Sequence, residues 1–259
     1  MRSAMGKRLL SILLCLLAGC GQNSKPLSPA GAGGGSFPPS LGLDATPEEN
    51  SAAEQLQQRK WAVGRVLITK GPVTSIGVPQ GVTLQGGIPP DDLRLMATLP
   101  NLDNLQLRDV RLDDSSLALI GKLGTLKALG VSTTPGFRGA TFPAAGARHL
   151  LGLPKLESLS LIGTDVTDEA IEILSASTTI RNLYLFQTKV TDRGIEAAGK
   201  MPQLEVLHLS EHVTDSGLQD LAGASSLKVL SLPLFARPPG ITDAGLEEFR
   251  KVHPDCKVE

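Results

Sequence analysis

Two patterns in this chain place residues where they could do chemistry. His208 and His212 stand four apart, a spacing that on a helix puts two imidazoles on one face and supplies half of a metal site. Acidic residues also recur at regular intervals, as Asp113-Asp114, Thr167-Asp168, Thr191-Asp192, Thr214-Asp215 and Thr242-Asp243. Such a column could suggest a ladder of divalent cations. The surrounding elements give both patterns a simpler meaning. Each Asp or Thr precedes a helical apolar pattern, where its side chain can accept the orphan N–H groups of a first turn, so these residues read as helix caps. The two histidines straddle a strand and its turn and therefore share no face. No GxSxG elbow, HExxH helix or Cys–His pair with a supporting context is present. The expectation is a non-enzymatic chain with no catalytic residue, no metal and no cofactor.

Aromatic residues carry more information. They make up only 3% of the chain, and Tyr184 is its single tyrosine. Side chains alternate across a strand, so the residues flanking the last strand leucine should face away from the core. Those pairs are Gln106 and Arg108, Gly130 and Ser132, Ser160 and Ile162, Tyr184 and Phe186, His208 and Ser210, Ser231 and Pro233. Tyr184 and Phe186 would then form an exposed patch between Ile162 and His208, with Arg108 on an earlier strand completing the candidate partner-binding set. Large aromatic anchors of this kind dominate binding hot spots.

The element that positions these residues runs from Leu156 to Thr179. Leu156, Leu159 and Leu161 are followed by the turn Gly163-Thr164-Asp165, then by Ala170, Ile171 and Leu174 at helical spacing. The period changes from two to about 3.6 within one segment, which reads as strand, turn and helix. One such unit cannot bury its own apolar face and must stack on copies of itself. The next 24 residues repeat it from Ile180, and a period of roughly 20–29 marks a leucine-rich repeat. Complete repeats begin at Leu102, Leu126, Leu156, Ile180, Leu204 and Leu227, after a degenerate first repeat with Ile88, Leu93, Met96 and Leu99 in register. Two repeats carry insertions between strand and helix, Thr133 to Thr141 and Leu234 to Gly240, expected to project from one rim.

Ahead of the repeats, a basic start (Arg2, Lys7, Arg8) precedes an apolar run, Leu9 to Leu17, too short to span a bilayer. Leu17-Ala18-Gly19-Cys20 then looks like a lipobox, with cleavage before Cys20 and lipidation on it. Residues 1–19 read as a lipoprotein signal peptide and 20–46 as the lipidated cysteine and a flexible Gly/Ser/Pro-rich tether. The lipid would hold the protein on a membrane of the cell envelope, with the outer membrane favoured because Gly21, not Asp, follows the cysteine. Residues 47–81 read as an N-terminal cap. Its helix starts at Thr46-Pro47-Glu48-Glu49, buries Ala53, Leu56, Trp61 and Val63, and ends at Gly64; two strand-like runs, 66–70 and 73–78, follow. Residues 82–259 hold the repeats and a closing segment with a final strand carrying Cys256 and Val258.

Net charge is −1 with no basic stripe, which argues against a nucleic-acid partner. Of three cysteines, Cys15 leaves with the signal and Cys20 carries lipid, so Cys256 has no intrachain partner.

The tract IRNLYLFQTKVTDRGIEAA, echoed at Val213-Thr214-Asp215-Ser216-Gly217-Leu218, resembles bacterial leucine-rich-repeat lipoproteins. Its repeats are similar to the cysteine-containing subclass without the cysteine. The resemblance extends upstream to Ala62–Val66 and downstream to Pro254–Val258. It implies an α/β solenoid with a parallel sheet on the concave side and helices on the convex side, and a role in binding proteins. The expectation is an envelope-anchored protein–protein interaction module with an unidentified protein partner. The alternatives are a structural or self-associating envelope spacer and a cell-wall glycan binder using Tyr184 as a stacking platform.

Overall fold

The computed structural model describes residues 45–65, 73–78, 87–134, 140–233 and 237–259, leaving aside the side chains of 62–65. The signal segment, Cys20, nearly all of the tether, the run 66–70, residues 135–139 of the first insertion and 234–236 of the second fall outside the described residues.

Thr46 caps the first helix, α1 (Pro47–Gln58), by accepting the Glu49 N–H at 3.1 Å, and Ala52, Ala53 and Leu56 lie buried along it. The expected end at Gly64 is corrected. The chain leaves the helix at Gln58, turns through Lys60 at φ 68°, and Gly64 lies inside strand β1 (Ala62–Arg65). The physical reason sits at Trp61, whose Nε1 donates to Asp92 Oδ2 at 2.8 Å while Arg59 pairs with the same buried carboxylate. That buried polar anchor fixes the chain's direction after the helix. A second buried carboxylate, Glu49, accepts the N–H of Val73 at 2.6 Å and ties α1 to strand β2 (Val73–Gly77).

From β2 onward, helices alternate with strands. The order is α2 (Pro90–Met96), β3 (Asn104–Arg108), α3 (Asp114–Ile120), β4 (Ala128–Ser132), a 3₁₀ helix (Ala144–Gly152), β5 (Ser158–Ser160), α4 (Asp168–Leu174) and β6 (Asn182–Tyr184). There follow α5 (Asp192–Gly199), β7 (Val206–His208), α6 (Asp215–Asp220), β8 (Val229–Ser231), α7 (Asp243–Val252) and β9 (Lys257–Val258). The strands form one sheet in sequence order, with β1 antiparallel to β2 and β2 to β9 all parallel. The run 73–78, read as part of the cap, thus supplies the first parallel strand, through the pairing of Ile76 with Leu105.

The register is regular. Leu105, Leu129, Leu159, Leu183, Leu207 and Leu230 form one row across six strands, each at most 1% exposed. The repeat starts Leu102, Leu126, Leu156, Ile180, Leu204 and Leu227 are buried too, as are Ile88, Leu93, Met96 and Leu99 of the degenerate first repeat. Each fully buried leucine or isoleucine contributes roughly 1.5–3 kcal/mol. Between the leucines the short strands carry half-exposed residues, so one face of the sheet packs on the helices and the other does not.

The acidic column caps helices, though not always its own. Asp113 Oδ1 accepts the Ser116 N–H at 2.7 Å within α3. Thr242 accepts the Gly245 N–H at 3.1 Å in α7. Asp168, Asp192 and Asp215 instead reach forward and bind the threonine that begins the following helix.

Candidate functional site

The candidate residues lie at or just beyond the ends of β3, β5, β6 and β7. Across the sheet, one row joins Gln106, Gly130, Ser160, Tyr184, His208 and Ser231. Tyr184 and His208 stack, with ring centroids 4.4 Å apart and planes 30° apart, and both are half-buried. Cross-strand aromatic neighbours in direct register are held at this separation by the ladder itself.

Phe186 departs from expectation. It is 6% exposed and meets the His208 ring in a T-shaped contact, with centroids 5.0 Å apart and planes at 89°. β6 ends at Tyr184, so the alternation that would turn Phe186 outward no longer holds, and Gln187 bends the chain at φ 55°. Ser210 and Ser231, also expected to face outward, are buried. The Ser210 hydroxyl donates to the Val190 carbonyl beyond the end of β7. Phe186 therefore supports His208, and Tyr184 is more accessible than Phe186.

Burial pushes the His208 imidazole down to about 4, opposed only in part by the Glu259 carboxylate, so the ring is neutral at pH 7. Its Nδ1 has no hydrogen-bond partner among the described residues. His212 sits on an isolated bridge to Thr191 and is exposed, in surroundings unlike those of His208. Among the described residues, no three His, Cys, Asp or Glu side chains gather into a group able to hold a metal.

Ile162 is half-buried one residue beyond the Leu161 that follows β5, beside the strand position of Phe186, whose carbonyl accepts the Gly163 N–H at 2.8 Å. Arg108 ends β3, three strands from Tyr184 and two residues further along than the row that holds Tyr184, hence about 16 Å away at the usual strand spacing and rise. The structure thus brings Tyr184, Phe186 and His208 together, sets Ile162 beside them, and leaves Arg108 apart. Between Arg108 and Tyr184 the floor is small and polar. Gln106 leans over Gly130 and donates to Asn104 Oδ1 at 2.9 Å, and Ser160 precedes Tyr184 in the row.

On the helical side, a cleft of about 510 Å³ is lined by Glu196, Lys200, Asp220 and Ser226 among others. Its lysine is committed to Glu196 at 2.7 Å.

A row of charges at the strand starts escaped the sequence reading. Its members are 23 to 30 residues apart, and only the strand register reveals that they are neighbours. No described helix is long and apolar enough to cross a membrane. Neither the protein-family models nor the curated proteins compared with this chain match it.

Proposed function

We propose that this chain is a leucine-rich-repeat lipoprotein acting as a non-enzymatic binding module. A lipid on Cys20 anchors it in the cell envelope, at the outer membrane, and its sheet engages a protein partner. The observation that carries this reading is the Tyr184–His208 stack, centred 4.4 Å apart on the sheet face turned away from the helices. A rigid aromatic pair, braced from behind by Phe186, offers a partner large contact area at little cost in side-chain entropy. The in-order parallel sheet with helices between strands supports a solenoid, whose other features follow from the family resemblance.

The test is a crosslinking pulldown from intact envelopes with the lipidated protein, comparing wild type with Tyr184→Ala. Loss of a captured protein supports the reading, and capture unchanged by the substitution sinks it. Phe186→Ala is a poor probe, because removing a buried ring disturbs folding. The small polar floor at Gly130 and Ser160 beside Tyr184 favours one second reading, a glycan ligand. Tyr184-dependent retention on cell-wall sacculi would identify it.

A further inference from the structure

One residue ahead of the register row Asn104, Ala128, Ser158, Asn182, Val206 and Val229 stand Asp103, Lys127, Glu157, Arg181, Glu205 and Lys228. Their signs alternate without a break. The neighbours at the two ends, Thr74 and Cys256, are uncharged. The row is held in line by the backbone, since each member's N–H donates to the carbonyl of the member before it at 2.7 to 2.9 Å. At the usual strand spacing the six residues extend for about 24 Å.

Part of this alternation is satisfied within the chain. Lys127 meets Asp103 at 3.3 Å, Arg181 meets Glu205 at 2.6 Å and Lys228 meets Glu205 at 2.9 Å. The lysines stay exposed, with 67% of the Lys228 side chain and 55% of the Lys127 side chain open to solvent, while Asp103, Arg181 and Glu205 are half-buried. Glu157, in the middle of the row, is exposed and joins no ion pair among the described residues.

An alternating row with an even number of members becomes its own complement when turned end for end. Placed antiparallel to a second copy, Asp103 faces that copy's Lys228, Lys127 its Glu205 and Glu157 its Arg181, and the remaining pairs follow by symmetry. An odd or interrupted row would set like charges against each other. We propose that this row is a docking surface for a second copy of the chain, related by a two-fold axis between Glu157 and Arg181. Such a contact is isologous, the same patch serving both partners. It rests on charge: among the described residues the exposed large hydrophobics are Leu151 and Val252, neither of them in the row. Exposed ion pairs are individually weak and screened by salt, so the dimer forms at low ionic strength and dissolves as salt rises.

Sedimentation velocity of the full chain in non-ionic detergent tests this. Dimers are expected at about 20 mM salt, with at least about tenfold weaker association near 500 mM, where the screening length is roughly 4 Å. Glu157→Arg or Arg181→Glu alone creates two like-charge pairs beside the axis, and each variant is expected to be monomeric at low salt. The combined swap restores every pairing between copies while leaving the alternation within each chain broken, and dimers should return. The outer swap, Asp103→Lys with Lys228→Asp, should also remain dimeric, and it asks the same question if the first swap melts early by circular dichroism. A monomer at every salt concentration, a dimer indifferent to the single reversals, or folded swaps that stay monomeric would overturn the proposal.

Discussion

The carboxylate of Asp168, in the first turn of α4, accepts both the N–H and the hydroxyl of Thr191 at 2.7 Å each, at the start of α5. The same carboxylate takes the Gly194 N–H at 3.1 Å, so α5 is capped by the helix before it, while Thr191 itself makes no side-chain cap. Asp192 holds Thr214 in the same way, and Asp215 holds Thr242. Helices this short are marginal alone, and a neighbour's carboxylate on their orphan N–H groups fixes where each begins. The glycine three residues after each threonine belongs to the same device. A Cβ on Gly194 would lie 2.5 Å from Asp168 Oδ1, and one on Gly217 or Gly245 would run into Asp192 or Asp215.

Gly245→Ala should therefore destabilise the protein by about 2 kcal/mol, although alanine is the better helix former by about 1 kcal/mol. Asp215→Ala should cost about 1–2 kcal/mol through the lost cap. The double variant should cost less than the sum by about 1 kcal/mol, because the clash leaves with the carboxylate. Urea unfolding of the four proteins gives this coupling. Strictly additive costs would assign the glycine to some other constraint.

His208 makes stability depend on pH. Its folded value of about 4 lies below its ordinary 6.5, so the unfolded chain binds the extra proton between those values. The contribution is complete above pH 6.5, declines as pH falls toward about 4, and levels off below that. The loss is on the order of 2–3 kcal/mol. His208→Phe keeps an aromatic ring in the stack and should flatten the stability profile over that window in thermal or urea melts. An unchanged slope would place the titration elsewhere.

Gln187 occupies the left-handed region at φ 55°, in the turn position that Gly163 fills at φ 73° one repeat earlier. Asp109, at φ 54°, is compensated by accepting the Thr134 N–H at 2.7 Å and its hydroxyl at 2.8 Å. Gln187→Gly keeps the N–H that donates to Glu211 and should stabilise the fold by about 0.5–1 kcal/mol. Gly163→Ala should do the reverse, since its Cβ would also strike the Thr133 hydroxyl. A neutral or destabilising Gln187→Gly in denaturant melts would contradict the strain.

Leu161 is fully buried, while Ser160, one residue away on the other face of the sheet, is half-exposed. Leu161→Asp puts an unpaired carboxylate in the core and should cost more than about 4 kcal/mol, whereas Ser160→Asp should stay within about 0.5 kcal/mol. Comparable damage from both, read by circular dichroism melts, would refute the strand register.

Much of this fold is legible in the order of the residues. The leucine positions, the alternation of strand and helix, the cap at Thr46 and the burial of Trp61 all follow from periodicity and local capping chemistry, which act over a few residues and therefore leave a local trace. Contacts between units leave none. Phe186 turns inward because its strand has already ended, and Asp168 caps a helix that begins 24 residues later. The alternating charges become a row only when parallel pairing brings residues 23 to 30 positions apart to one strand spacing. Local patterns specify which elements form and which side they bury. Which side chains then meet across elements depends on register and strand length, and those are settled only when the whole sheet assembles.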